Sequence, residues 1–408
     1  MAAKITGGCY SWRRFYRKRT PSRFLLFSVR ASHSMDDMDT VYKQLGLFSL
    51  KKKIKDVVLK AEMLAPNALE LEEEQWIKQE ETMRYYDLWD DPAKSDEILL
   101  NLADREKAVD ILKDLKYKAE EAKLIIQLGE MDAIDYSLFE QAYDSSLDVS
   151  RSLHHYEMSK LLRDQYDSEG ACMIIKSGSQ DTKSQIWTEQ VVSMYIKWAE
   201  KLGQNARVAE KCSFLSNKNG INSATVEFEF EFAYGYLLGE RGVHRLITSS
   251  TSNELCSATV DIIPLFLRAS PDFEVKDEDL IVSYPAKEND KIAEHMVCIQ
   301  HIPSGITVES SGERNRFANR IKALNRLKAK LLVIAKEQKI SDVNKINSKN
   351  IVEPWKVEET RRYVSKGQKM VVDFKTGLEI LDLKSVLDGN IGPLLGANIG
   401  MRRSIDAI

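Results

Sequence analysis

The chain has 408 residues, of which 43% are hydrophobic and 30% are charged, and its formal net charge is −3. A chain of this length exceeds a single compact core, and the composition is typical of a globular protein with two to four domains. No uninterrupted apolar stretch reaches the roughly 20 residues that a membrane-spanning helix needs, so we expect no membrane partner.

The first 35 residues differ from the rest because they contain bases and serines but no acid, the first carboxylate being Asp36. The basic residues are Lys4, Arg13, Arg14, Arg17, Lys18, Arg19, Arg23 and Arg30. This composition predicts a transit peptide over residues 1–35. Val29-Arg30-Ala31 resembles a stromal processing site, which favours the chloroplast stroma over the alternative, the mitochondrial matrix. The other interpretation is a basic tail that binds RNA.

Removal of the leader makes the chain acidic: eight cations and no acid leave, so the formal charge changes from −3 to −11. Contact with a nucleic acid then depends on a local basic patch rather than on the field of the whole molecule. The remaining cysteines show no C-x-x-C spacing, so we expect neither a metal site, a disulfide framework nor a cofactor. They are Cys172, Cys212, Cys256 and Cys298.

Residues 36–165 are rich in charge and poor in glycine, with apolar residues at helical spacing such as Leu112, Leu115, Ala119 and Ala122. This pattern predicts three or four antiparallel helices. We expect Asp91 to be an N-cap and Pro92 to occupy the first helical position. The predicted breaks are Ala65-Pro66-Asn67, Asp90-Asp91-Pro92 and Gly129-Glu130-Met131-Asp132.

After Tyr166 the sequence predicts mixed strands and helices. Residues 172–175 predict a strand, and a helix face follows with Trp187, Val191, Met194 and Trp198. Residues 224–232 alternate strictly, which predicts one half-buried strand with its glutamates on one face. The other face carries Val226, Phe228, Phe230 and Phe232.

A second α/β unit is predicted over residues 274–339. It contains strands at 280–284 and 296–301, a Pro303-Ser304-Gly305 turn and a long helix after Asn315. Residues 362–382 predict strands around the Lys375-Thr376-Gly377 turn, followed by a short terminal helix. We interpret His244 and His301 as a sheet-edge and a hairpin residue, neither of them catalytic.

Residues 233–246, AYGYLLGERGVHRL, resemble the segment of bacterial-type peptide chain release factors, type two, that leads into the codon-reading loop. Similar matches follow in order between residues 38 and 399, at 86–92, 187–200, 301–306, 327–331, 361–364 and 386–389. The resemblance implies an α+β multidomain fold, with an N-terminal helical domain followed by release-factor-type α/β domains. The implied domains are a helical domain (36–165), a codon-recognition-like α/β domain (166–272 and 340–408) and a degenerate catalytic-type α/β domain (273–339).

Members of that family hydrolyse peptidyl-tRNA with a Gly-Gly-Gln loop, whose glycines adopt backbone angles closed to other residues. The matching stretch here is Pro285-Ala286-Lys287-Glu288-Asn289-Asp290, and no glycine lies between Val243 and Ser304. The resemblance therefore implies a member without catalytic residues, which is not an enzyme. The alternative is that another loop substitutes.

The codon-reading loop also departs from the family pattern. Where the type-two family carries Ser-Pro-Phe, this chain has Ser250-Thr251-Ser252, and the family's stacking histidine corresponds to Glu254. Unpaired RNA bases are recognised by hydrogen bonds together with aromatic stacking, so we do not expect stop-codon recognition. The residues that we predict to contact RNA here are Arg245, Ser249, Ser250, Thr251, Ser252 and Asn253.

Residues 314–339 form a basic segment with nine cations and one acid, Glu337, on a helix whose Leu324, Leu327 and Leu331 are predicted to face inward. Like charges four residues apart repel, so an anionic partner such as RNA phosphate would explain the spacing of Lys322, Arg326 and Lys330. A solvated charged helix is the alternative. The predicted phosphate contacts are Arg314, Arg316, Arg320, Lys322, Arg326, Lys328 and Lys330.

Two functions remain open at this stage. One is an organellar RNA-binding factor that supports the stability or translation of a transcript. The other is a ribosome-associated accessory or rescue factor. The missing glycines disfavour a third, an active release factor. The expected partner is organellar mRNA, with the ribosome as the alternative.

Overall fold

The computed structural model describes residues 35–85, 92–130, 136–212, 220–248, 255–267, 275–284, 295–340, 346–347, 351 and 356–406. The leader, the loop at 249–254 and the segment at 285–290 lie outside these ranges, as does the predicted N-cap Asp91. The chain divides into two compact units, Met1–Ser150 and Arg151–Ile408. No helix in the described ranges is both long and apolar enough to cross a membrane.

Three helices follow one another from residue 35: α1 (Met35–Tyr85), α2 (Pro92–Glu130) and α3 (Tyr136–Leu161). Ile54 and Val58 of α1 pack with Ala122 and Ile126 of α2. Two ion pairs fix the direction of these helices, since Glu73 pairs with Lys113 at 3.0 Å whereas the earlier Glu62 pairs with the later Lys123 at 2.5 Å. The predicted antiparallel arrangement, the start at Pro92 and the break near residue 130 are confirmed.

The predicted break at Ala65-Pro66-Asn67 is wrong, because α1 continues through Pro66. A proline removes one helical hydrogen bond, a local cost that tertiary packing can outweigh. Here Ala61 and Ala65 are buried while Pro66 is exposed, so the buried face of the helix runs past the proline uninterrupted.

The second unit contains an eight-stranded sheet with the order β11-β10-β9-β4-β5-β1-β3-β2. Neighbouring strands are antiparallel except β4 and β9, which are parallel. Its first five strands are β1 (Gly170–Ser177), β2 (Ala206–Cys212), β3 (Ser223–Phe228), β4 (Gly242–Ile247) and β5 (Leu255–Leu265). The others are β9 (Glu359–Val364), β10 (Met370–Asp373) and β11 (Glu379–Ile380), with the predicted turn between β10 and β11.

Helix α4 (Thr182–Lys201) packs on one face of this sheet. Asp181 caps it by accepting a hydrogen bond from the Ser184 amide at 2.9 Å. The predicted apolar face, Trp187, Val191, Met194 and Trp198, is buried in the main core. The shorter α5 (Ala233–Leu237) follows β3, and the chain ends with two helices rather than one, α7 (Leu383–Leu387) and α8 (Gly392–Asp406).

The strand predicted at 224–232 is shorter than expected and buried on both faces. It ends at Phe228 because its partners end there too: Ala171 of β1 and Ala206 of β2 lie opposite Phe228. Phe232 instead precedes α5 in a left-handed conformation with φ of 67°. Glu227, expected on an open face, is buried.

A three-stranded antiparallel sheet, β6 (Leu280–Ser283), β7 (Val297–His301) and β8 (Thr307–Ser310), packs against α6 (Arg316–Glu337). Asn315 caps α6 by accepting a hydrogen bond from the Phe317 amide at 2.9 Å. Leu327 and Leu331 are fully buried as predicted, and Leu324 is half-buried. On its other side α6 meets the large sheet, where Ala329 packs with Cys172 and Ile263.

Strands within residues 280–310 form a separate small sheet, but both sheets belong to one compact unit. The predicted boundaries at 165, 272 and 339 stay predictions. His244, expected at a sheet edge, lies instead in β4 between β9 and β5, because the parallel strand β9 covers the side that the local sequence left open.

Candidate nucleic-acid interface

Helix α6 carries cations on two different faces. The face that meets the large sheet holds Lys322, Arg326 and Lys330, one helical turn apart, and each of them pairs with a carboxylate. Arg326 is 5% exposed, and its two Nη atoms lie 2.7 Å from Glu210 Oε1 and 2.9 Å from Glu227 Oε1.

The flanking pairs extend this contact along the helix. Lys330 Nζ lies 3.2 Å from Asp261 Oδ2, and Lys322 Nζ lies 2.6 Å from Glu313 Oε1 and 3.4 Å from Glu227 Oε2. Beyond them, Arg241 bridges Asp261 and Glu337, the one acid of the basic segment. These pairs form an ionic contact between α6 and the large sheet.

The local sequence of β2 and β3 explains where the carboxylates lie. Glu227 of β3 is opposite Arg207 of β2, and a register irregularity between Val208 and Glu210 brings Glu210 opposite Thr225. Both acids therefore project toward α6. Burial raises the Glu227 pKa, but hydrogen bonds from Arg207 and Arg326 outweigh that effect and hold the pKa below its usual range.

The sequence-based reason for phosphate at Lys322, Arg326 and Lys330 needs correction. The anionic partner that their spacing requires lies within the protein, because long-range pairing put acids of β2, β3 and β5 beside them. Arg326 in particular is buried. Burial alone would lower its pKa, yet the surrounding acidic groups hold that pKa above its usual range.

The remaining predicted phosphate contacts of this segment lie at the surface, Arg314 just before α6 and the others within it. Arg314, Arg316 and Arg320 are exposed and Lys328 is half-exposed. Arg245 lies elsewhere, in β4, where it pairs with Glu359 of β9 at 2.9 Å and keeps 35% of its side chain exposed. Ser249, Ser250, Thr251, Ser252 and Asn253 fall outside the described residues, so their RNA contacts stay predictions.

A buried charge cluster at the large sheet was not predicted from the sequence. Arg361 of β9 is fully buried and donates to Glu240 at 2.6 Å and to Asp373 at 3.0 Å, and Tyr195 donates to Glu240 at 2.8 Å. Arg361 and Arg362 are adjacent arginines in one strand, where alternation sends only one of them inward. Which one is buried depends on the register of β4 with β9.

The four described cysteines are free thiols. Burial raises the pKa of Cys172 to about 12, so this thiol is protonated at physiological pH. Within the described ranges, no group of three or more His, Cys, Asp or Glu residues is placed to hold a metal ion.

The sequence matches two known protein-family domains and a known plant protein. Residues 72–254 match the PCRF domain, and residues 291–375 match the RF-1 domain. Over all 408 residues, covering 100% of both chains, the sequence is 90% identical to peptide chain release factor PrfB3, chloroplastic, of Arabidopsis thaliana. The chain belongs to the bacterial-type peptide chain release factor family.

Other relatives of this release-factor-family protein agree. Peptide chain release factor PrfB1, chloroplastic, of Arabidopsis thaliana is 32% identical over 393 residues, covering 93% of this chain and 86% of that protein. Peptide chain release factor 2 of Thermomicrobium roseum is 29% identical over 321 residues, covering 76% of this chain and 84% of that protein. The two plant names support the predicted plastid location.

The fold is similar to that of a solved structure, RF2 of Thermus thermophilus. The TM-score is 0.56 at 24% identity, and the match covers 84% of this chain and 99% of that chain. The release-factor-type architecture inferred from short motifs is thereby confirmed.

Proposed function

We propose that this release-factor-family protein is an RNA-binding factor of the chloroplast stroma that supports the stability or translation of a transcript and does not hydrolyse peptidyl-tRNA. One observation carries the proposal: the family fold is retained, yet no glycine occurs between Gly242 and Gly305. The chain's single Gly-Gly pair is Gly7-Gly8, within the predicted leader.

The chemistry of the loop gives this observation its weight. A backbone that presents an amide to the reacting ester needs angles that glycine adopts freely and that Cβ-bearing residues avoid. Pro285 and Ala286 lie at the position of the family's catalytic loop, and Lys287 and Glu288 add charge there. The RF-1 domain match begins only at residue 291, after this stretch.

Charge supports the RNA-binding part of the proposal. The chain without its predicted leader is acidic, but residues 314–336 contain no acid at all. Three of the cations there are exposed, namely Arg314 just before α6 and Arg316 and Arg320 in its first two turns. Since phosphate contacts supply most of the affinity of sequence-independent RNA binding, a local cluster of this kind is the expected requirement.

A peptide-release assay tests the loss of hydrolysis. Ribosomes with formyl-methionyl-tRNA in the P site and a stop codon in the A site are mixed with the leaderless protein, and freed formyl-methionine is counted. We expect no release above buffer, while the chloroplastic PrfB1 relative assayed in parallel serves as the positive control. Stop-codon-dependent release by this chain would refute the proposal.

The RNA partner is identified by crosslinking the protein in intact plastids and sequencing the recovered RNA. We expect enrichment of particular messages, whose lifetimes shorten when the protein is lost while termination stays normal. Recovery of ribosomal RNA alone, together with a uniform translation defect, would replace this proposal with the ribosome-associated alternative.

A further inference from the structure

The outer face of α6 combines exposed aromatic and cationic side chains. Phe317 is 67% exposed and Ile321, one turn later, is 45% exposed. Tyr284, which directly follows β6, is 50% exposed. Isolated exposed apolar side chains are normal in proteins, but three within one basic surface call for an explanation.

Strand and helix contribute to the same surface. Tyr284 continues the alternation of Leu280 and Val282, whose side chains pack against the small core beneath α6. Its ring therefore lies on the helix side of the small sheet, and the Arg316 guanidinium lies 5.8 Å from the ring centroid. This contact joins Tyr284 to the first turn of α6, next to Phe317.

Helical spacing separates this surface from the ionic contact with the large sheet. Arg320 and Lys328 are eight residues apart on the side of α6 that points away from Arg326, which lies on the buried side. Within the part of the chain that the structure describes, Arg314, Arg320 and Lys328 form no hydrogen bond or ion pair. The nearest acid in sequence, Glu313, is held by Lys322 and Arg207.

We infer that this surface binds single-stranded RNA, with Arg314, Arg320 and Lys328 on phosphates and with bases stacked on Phe317 and Tyr284. The inference rests on the proposed RNA-binding function and assigns its site. Proteins that hold unpaired nucleic acid combine a cationic track with aromatic rings, because every base offers a face for stacking. Arginine beside an aromatic ring adds a second planar surface.

The exposed aromatic rings beside the cations favour RNA over an acidic protein partner. Ion pairs with a protein would use the arginines but would leave Phe317 and Tyr284 without planar partners. RNA supplies phosphates for the cations and planar bases for the exposed rings within one strand.

The first test separates the phosphate contacts from the fold. Binding of an unstructured oligouridylate of about 12 nucleotides is followed by fluorescence anisotropy across a salt series. Arg314→Ala/Arg320→Ala/Lys328→Ala should lower the salt slope by about 2, since each phosphate contact on a single strand contributes about 0.7. Lys366→Ala/Lys369→Ala/Lys384→Ala removes three exposed cations elsewhere and should keep the slope unchanged.

The second test isolates stacking. Phe317→Ala should lower affinity about tenfold with the same salt slope, because no charge changes, whereas Phe317→Trp should retain affinity. Equal binding by wild type, Phe317→Ala and the face triple variant would overturn the inference. Thermal unfolding of each variant should match the wild type, since these side chains are exposed.

Two outcomes distinguish this inference from the function beneath it. Wild-type protein that binds neither oligouridylate nor 70S ribosomes would overturn the proposed RNA binding as well. Wild-type binding that none of the face variants weakens would overturn the site alone. Weakened oligonucleotide binding supports a transcript as the source of the unpaired RNA, and weakened cosedimentation with ribosomes supports ribosomal RNA.

Discussion

His244 shows how a single residue of the family block responds to its surroundings. It is fully buried in β4, with Nδ1 3.1 Å from the Tyr363 hydroxyl and Nε2 2.9 Å from the Glu240 carbonyl. Burial, reinforced by the nearby Arg361 charge, lowers the pKa of His244 to about 4. The ring is therefore neutral at physiological pH.

This low pKa predicts that the protein loses stability in mild acid. The unfolded chain takes up the His244 proton at a pKa of about 6.5, whereas the folded chain does so only near 4. Between these values the unfolded state binds more protons, so the free energy of unfolding decreases as the pH is lowered. At about pH 5 this residue alone lowers it by about 2 kcal/mol relative to neutral pH. Urea unfolding of unit Arg151–Ile408 within the intact protein, followed by tryptophan fluorescence, measures the change.

His244→Gln is the control for that prediction. It removes the titrating ring and leaves Glu240, Arg361 and Lys375 around it, so the loss of stability between about pH 7.5 and about pH 5 should be smaller in the variant. An identical pH dependence in both proteins would show that His244 does not titrate as its burial implies.

At the scale of elements, α6 has one face that contacts the large sheet and one face that is exposed to solvent. Arg326→Ala removes the one guanidinium that pairs with both Glu210 and Glu227 and leaves their carboxylates without that buried countercharge, which should cost about 3–5 kcal/mol of unfolding free energy. Arg320→Ala, on the exposed face of the same helix, should change it by less than about 0.5 kcal/mol. Chemical denaturation of both variants is the measurement.

A compensated variant tests the reason for the difference. Arg326→Met with Glu210→Gln and Glu227→Gln removes the buried charges together, so most of the lost stability should return. If Arg326→Ala were as stable as Arg320→Ala, the pairing of α6 with the large sheet would not contribute to folding.

At the scale of the whole molecule, the predicted leader at residues 1–35 should direct the protein to the plastid. We expect a fusion of residues 1–45 to a fluorescent protein to enter plastids. The reason is that residues 1–35 are rich in basic residues and serines and contain no acidic residue. Confocal imaging of the fusion checks this, with residues 36–408 carrying the same label as the control that should not be imported. Accumulation of the leader fusion in mitochondria alone would contradict the plastid prediction.

Periodicity predicted most of the elements because each depends on local chemistry. The face of α4, the helix after Asn315 and the start of α2 at Pro92 follow from helical spacing and end signals. The errors share one cause: partners distant in sequence overrode local signals. Packing against α2 carried α1 through Pro66, and the ends of β1 and β2 terminated β3 at Phe228.

The sequence by itself determined the family, the absence of glycine between Gly242 and Gly305 and the density of cations on α6, since all of these are properties of residue identity and order. Only the tertiary structure decided which cations are open to solvent. Lys322, Arg326 and Lys330 meet carboxylates of strands up to 116 residues away, whereas Arg314 and Arg320 meet none among the described residues. The sequence gives the charge of each side chain, but its burial and its ion-pair partners depend on long-range packing, which the spacing of residues along the chain does not reveal.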